Sequence, residues 1–392
     1  MLEVLAIFTR LGLTSFGGPT AHLGYFRDEF VDKRQWMTDE EYADLVALCQ
    51  FMPGPASSQV GMAIGYKRAG YAGMLAAWVG FTLPSVILMV AFALGVAQLG
   101  DVSGAGWLAG LKAAAVAVVA QAVIGMSGSI VTDGKRAAIA LAAFIAVLLV
   151  VSPFTQVAVI ALGMVAGAAL FGSARTPART PASTPSAVPT RTRAVGAAAL
   201  AAFAGLLVVL PAAAAAAQST AAEMFSSFYR AGALVFGGGH VVLPLLEQAT
   251  VPAGLVDHDT FLAGYGAAQA VPGPLFTFAA FLGASASGVA WWWGAIVATV
   301  AIFLPAALLV VGVMPFWEQL REHPLAASAL SGANAAVVGI LAAALYDPVF
   351  TAGITGPGTL AVAAAAFVAL RKWKTPPWAV VVAAAAAGAV AL

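Results

Sequence analysis

Apolar residues run along this chain in long unbroken blocks, with no alternation of polar and apolar positions. The first half carries such blocks at 70–99, 105–130, 136–151 and 154–172. Further blocks follow at 196–217, 289–314, 325–346, 358–370 and 376–392. Each is rich in Ala, Leu, Val and Gly and has helical length. A membrane-spanning strand would show a two-residue rhythm instead. A chain in lipid must satisfy its own backbone polar groups, which helices do within one segment. The pattern therefore predicts an all-α polytopic membrane protein. Two regions, 3–66 and 222–288, are less regular and hold the breaks discussed below.

Composition strengthens this reading. Hydrophobic residues make up 61% of the 392 and charged residues only 9%, against roughly 25% charged in soluble domains. Mean hydropathy is +0.94, which places most of the mass in a lipid bilayer. A net charge of +1 gives no reason to expect a nucleic-acid partner. Cys49 is the single cysteine, so neither an internal disulfide nor a cysteine metal cluster is available. The four histidines show no metal-ligand spacing. No cofactor and no enzymatic activity are expected. The opening "MLEVLAIFTRLG" lacks a basic leader and carries Glu3, so it is expected to belong to the mature chain.

One stretch differs from the rest. Residues 173–194 are rich in Ser, Thr and Pro and contain Arg175, Arg179, Arg191 and Arg193, the composition of a solvated linker. It divides the chain into 1–172 and 221–392, with an additional apolar helix over 195–220. The two long parts repeat each other. "FTRLGLTSFGG" (8–18) matches "FYRAGALVFGG" (228–238), pairing Phe8, Arg10, Gly12 and Phe16 with Phe228, Arg230, Gly232 and Phe236. "QFMPGP" (50–55) matches "QAVPGP" (269–274), "TLP" (82–84) matches "FLP" (303–305), and "KAAAVAVV" (112–119) matches "NAAVVGIL" (334–341).

Basic residues change sides between the copies. Arg27, Lys33, Arg34, Lys67 and Arg68 surround the first Pro-Gly-Pro, and 237–288 has no Lys or Arg. Lys135 and Arg136 face "GPG" (356–358) in the second copy, while Arg371, Lys372 and Lys374 answer "VVSPF" in the first. Lys and Arg in short loops mark the cytoplasmic side. Two inverted-topology repeats are expected, joined by one extra crossing, with the linker in the cytoplasm and about 13 membrane segments in all.

The breaks are the candidate chemistry. Pro53-Gly54-Pro55 and Pro272-Gly273-Pro274 interrupt their segments with broken or re-entrant helices, each followed by residues suited to a helix start: Ser57 and Ser58 after the first, Thr277 after the second. A helix start offers free N–H groups and partial positive charge to an anion. Gly17–Gly18 and Gly237–Gly238 let backbone approach a ligand. Arg10 and Arg230 sit in apolar stretches, where an arginine marks a pathway or reaches for an interface. Gln50 and Gln269 end the helices leading into the triplets and can donate to an oxyanion or cap carbonyls. His240 and His22 are candidate proton carriers or structural groups. Lys112, matched by Asn334, is a secondary polar candidate. Thr38 with Glu41 reads as a capping box.

"SFGGP", "QFMPGPASSQ", "FGGGH" and "QAVPGPLFTF", in an apolar two-copy layout, resemble the chromate transporter family over nearly the whole chain, in its two-domain type with oppositely oriented halves. The resemblance implies export of chromate across the bacterial cytoplasmic (inner) membrane and chromate resistance, with sulfate as analogue and protons as the driving ion. A sulfate or other oxyanion transporter, or a passive anion channel of the same build, is the alternative. A homodimer is left open.

Overall fold

The computed structural model describes residues 1–16, 18–98, 105–150, 155–171, 190–236, 241–316 and 324–392. Gly17, Gly237, Gly238 and His240 lie outside these described residues, as does 173–189 of the linker. Among the described residues the chain is helical and contains no strand.

The first copy opens with α1 (Leu2–Thr14), α2 (Gly18–Arg27), which widens into a π turn at Asp28–Lys33, and α3 (Asp39–Phe51). The Thr38 capping box forms: Thr38 Oγ1 accepts the Glu41 amide at 3.2 Å, and Glu41 Oε2 accepts the Thr38 amide at 2.9 Å. After Pro53-Gly54-Pro55, α4 (Ala56–Gln98) runs up and bends at Ala69 and Gly70, where the backbone leaves helical geometry. It therefore has two arms, 56–68 and 71–98. The copy closes with α5 (Gly106–Ile130), α6 (Gly134–Leu149) and α7 (Thr155–Phe171). Asp133 caps α6 by accepting the Lys135 and Arg136 amides, both at 2.9 Å.

The bridging helix α8 (Thr190–Ala217) begins earlier than expected and takes in Arg191 and Arg193, so the linker as read from composition overran the helix start. The second copy repeats the first. It contains α9 (Thr220–Ala233), α10 (Val242–Thr250), α11 (His258–Ala270), a 3-10 turn at Leu275–Thr277 leading into α12 (Phe278–Ser285), and α13 (Trp291–Val313). The last three helices are α14 (Pro324–Ala344), α15 (Pro357–Arg371) and α16 (Pro377–Ala391). Apart from the starts of α4 and α8, which lie well before their blocks, helix ends fall within a few residues of the apolar blocks. Pro357 and Pro377 occupy the first turn of their helices, where the missing N–H costs nothing. Pro84 and Pro305 fall at matched places inside α4 and α13.

Five helical stretches are long and apolar enough to cross a membrane: Ala56–Gln98, Gly106–Ile130, Thr190–Ala217, Trp291–Phe316 and Ala327–Gly353. Shorter apolar helices, among them Thr155–Phe171, Pro357–Arg371 and Pro377–Ala391, complete the bundle.

The packing is reciprocal. α1 lies on α4 as α9 lies on α13. The first copy's α5 is clasped by α15 and α16 of the second, and the second copy's α14 is clasped by α6 and α7 of the first. Contacts that recur with the copies exchanged are the mark of a two-fold relation. The repeats are thus interlocked rather than side by side. α8 packs on α9 and α13, outside this exchange.

Candidate functional site

Each Pro-Gly-Pro tip docks on the residue just before the other copy's Phe-Gly-Gly motif. The Gly54 amide donates to the Val235 carbonyl at 2.7 Å, and the Gly273 amide donates to the Ser15 carbonyl at 2.9 Å. Both glycines lie in the left-handed region, with φ of +118° and +91°. An L side chain there is strained. Space is short as well. A Cβ on Gly273 would run into Ser85 Oγ and come within 3.2 Å of the Phe81 carbonyl oxygen. One on Gly54 would lie 2.9 Å from Gln59 Nε2.

The tip amides are not free donors for an anion, because the opposite copy uses them. The second triplet also opens into a 3-10 turn, with Thr277 Oγ1 donating back to the Pro274 carbonyl at 2.8 Å, rather than directly into an α-helix.

The first-proline carbonyls are capped differently in the two copies. Gln59 Nε2 donates to Pro53 O at 2.7 Å within its own hairpin, whereas Pro272 O accepts from Ser85 of the first copy. The position matching Gln59 is Phe278, so the second tip takes its cap from its neighbour. His22 ties the first break together. Its Nε2 lies 3.2 Å from the Ser15 carbonyl and its Nδ1 lies 3.3 Å from Ser57 Oγ. Only an N–H can serve the carbonyl, so Nε2 carries the proton and Nδ1 accepts from Ser57. His22 is fully buried, and Ser15 O takes both His22 and Gly273.

A cavity of about 190 Å³ lies beside the second tip. Its polar walls are Gln269, Gln121 and the backbone of Gly18 and Gly273, brought together from both copies. The Gln269 side chain is also hydrogen-bonded to Tyr265, one turn earlier on α11. The amides of Gln269 and Gln121 can donate to a guest that accepts hydrogen bonds. Ser58 Oγ, Ser15 Oγ and Thr82 Oγ1 are buried without a partner.

The remaining candidates are scattered. Gln50, the counterpart of Gln269, is exposed at the end of α3. Arg10 is more than half exposed and binds Glu29 at 2.5 Å. Arg34 binds the same carboxylate at 2.6 Å, and Lys33 lies 3.9 Å from it. Arg10 thus belongs to a basic cluster around a buried acid. The matching position to Glu29 is Ala249, and Arg230 is half-buried in the last turn of α9. Lys112 is buried and pairs with Asp259 at 2.5 Å, at the start of α11, while Asn334 is half-buried in α14. Gln121 escaped the sequence reading. Its signal was present: an amide in an apolar helix, nine residues after Lys112.

A bundle of membrane-length helices in two interlocked copies, with broken segments meeting at a small polar cavity, has the build of a polytopic membrane transport protein. The chain belongs to the chromate transporter family, whose model matches residues 2–172 and 222–389. It is 29% identical to a chromate transport protein of Pseudomonas aeruginosa over 348 residues, covering 88% of this chain and 80% of that one. It is 27% identical to a chromate transport protein of Cupriavidus metallidurans, covering 88% and 81%. It is 24% identical to an uncharacterized transporter of Methanocaldococcus jannaschii, covering 87% and 83%. No solved structure matches.

Proposed function

We propose that this chain is a secondary transporter that exports chromate across the bacterial cytoplasmic membrane, with the oxyanion held in the cavity beside the second Pro-Gly-Pro tip. The observation that carries this is the cavity itself, which brings the Gln269 amide of one copy together with Gln121 and the Gly18 backbone of the other. Gln121 supplies a second amide. Membership of the chromate transporter family, and the chromate transport proteins among its relatives, support chromate as the substrate. Sulfate, of the same shape and charge, is the expected competitor. Arg230 is the candidate for long-range attraction of the anion, and Arg10 serves its ion cluster instead.

The two hairpins are read as re-entrant. α3 and α11 have 13 residues each, about 20 Å at 1.5 Å per residue, short of the roughly 30 Å hydrocarbon core. The exchanged loop charges favour inverted repeats, with 173–194 on the cytoplasmic side. Movement of one tip-and-break element against the other would alternate access.

Outward movement is downhill electrically. A dianion leaving across about −100 mV gains about 4.6 kcal/mol, at about 2.3 per charge, enough for roughly three decades of gradient. Proton coupling would add to this drive rather than be required for it.

The test is uptake of labelled chromate into inverted vesicles, with sulfate competition and with the proton gradient collapsed. Export predicts uptake that sulfate suppresses and that shows trans-stimulated exchange. Absence of uptake, or exchange unaltered by Gln269→Ala, would overturn the reading.

A further inference from the structure

The two hairpins are tied to the preceding helix at matched positions, but by different chemistry. In the first copy Arg27, the last residue of α2, binds Asp39, the first residue of α3, with Nη2–Oδ1 at 2.7 Å. Carried across at the offset of the Phe-Gly-Gly motifs, Arg27 falls on Glu247 of α10. At the offset of the Pro-Gly-Pro motifs, Asp39 falls on His258, the first residue of α11. Glu247 and His258 are indeed neighbours, with Oε1 and Nδ1 3.7 Å apart. One copy has a pair that is charged at every physiological pH, and the other has a pair that titrates.

We propose that Glu247 and His258 form a protonation-controlled latch that holds the second hairpin against α10, where the permanent Arg27–Asp39 pair holds the first.

The surroundings favour this. Glu247, His258 and Asp347 line an open cleft of about 400 Å³, which gives water access to the pair. Holding one proton, the pair is neutral overall, as Arg27–Asp39 is. Losing it leaves a carboxylate beside Asp347, whose negative charge opposes it. Burial first, and Asp347 second, raise the Glu247 carboxyl to about 7. Burial lowers the His258 imidazole, opposed chiefly by Asp259 and Asp347.

The other charges near the pair are accounted for. Asp257 caps α11, and Asp259 is engaged by Lys112 of α5. α14 packs on α10, and α7 hydrogen-bonds to it through Gln156; neither carries a titratable side chain. α9 carries Glu223, Tyr229 and Arg230, none of which perturbs Glu247. Below about pH 7 the latch is closed and above it the latch opens, so α11 and its tip are freed on one side of neutrality only.

The inference rests on the transport reading for its consequence but not for its first test. In liposomes, the protonated-carboxyl infrared band of the full chain should titrate with a midpoint near neutrality, and Glu247→Gln should remove that step. A midpoint in the ordinary carboxylate range, or a step that survives Glu247→Gln, overturns the latch whether or not chromate moves. The second test is chromate exchange at equal concentrations on both sides. The latch predicts that the rate follows its occupancy, which changes roughly tenfold between about pH 6 and 8. Exchanging the pair for a permanent one, Glu247→Arg with His258→Asp, should flatten that profile. The substrate's own titration is common to both proteins and cancels in the comparison. A profile unchanged by the exchange overturns the latch, whereas no exchange at any pH overturns the transport reading and leaves the infrared result to decide.

Discussion

The amide of Gly54 donates to the carbonyl of Val235 at 2.7 Å, across the boundary between the two copies. Its twin runs the other way, from Gly273 to Ser15 at 2.9 Å. Neither hairpin tip rests on its own half. Each tip is bonded to the other copy, so the two halves cannot separate without exposing four backbone groups.

Gly273→Ala is expected to lower thermal stability and abolish chromate exchange. The left-handed conformation alone costs about 1–2 kcal/mol, and the new Cβ meets Ser85 Oγ. Gly70→Ala is the control. Gly70 also has a positive φ, +61°, but nothing lies within 4 Å of its Cβ position. It should show the backbone cost without the clash, and retain exchange. Thermal unfolding of the purified proteins, with exchange measured in parallel, separates the two.

Gln269→Leu should leave the protein folded and weaken chromate binding. A hydrogen bond to a charged partner is worth roughly 1.5–3 kcal/mol, so affinity should fall about 10- to 100-fold. Gln121→Leu should act in the same direction. Gln50→Leu should have little effect, because Gln50 is exposed. Equilibrium binding of labelled chromate to the purified proteins checks all three.

Glu29 links pH to stability. Burial would push its carboxyl up, but Arg34 and Arg10 outweigh this and hold it below the ordinary value. A depressed folded-state value means the stabilisation is present at neutral pH and is lost as pH falls through the acid range. The melting temperature of the wild type should therefore drop more steeply on acidification than that of Glu29→Gln. Arg10→Gln should lower stability while leaving the KM for chromate unchanged.

Lys112 and Asp259 should show non-additive effects. Lys112 has a side chain 9% exposed, and Asp259 is 40% exposed. Removing either alone strands a partly buried charge, at a cost of roughly 1–3 kcal/mol after allowing for solvent at Asp259. Lys112→Met together with Asp259→Leu should cost less than the sum of the singles. A double-mutant cycle on unfolding midpoints measures the difference.

Much of the bundle was legible in the chain. Apolar block lengths placed α5, α6, α7, α13, α14, α15 and α16 within a few residues, because a helix in lipid must be apolar along its length. The capping box at Thr38 was legible because both partners lie within one turn. The ion pairing of Arg10 was hidden for the opposite reason. Its partner Glu29 lies beyond a break and a second helix, so no local pattern announces the pairing. The inequality of the two glutamines was also hidden. Gln50 and Gln269 sit in matching motifs, yet only Gln269 lines the cavity with Gln121, because the neighbours differ.

The sequence by itself determined that this is a membrane-embedded helical protein of two related halves, broken at matched Pro-Gly-Pro triplets. Hydropathy, proline and glycine act locally, so they can be read locally. Only the tertiary structure decided that the tips cross over, that His22 is held between Ser15 and Ser57, and that Glu247 meets His258 where Arg27 meets Asp39. The tip bonds and the His22–Ser57 contact join segments far apart in the chain, and the two charged pairs each join separate helices, so packing of the interlocked copies rather than any local preference selects them.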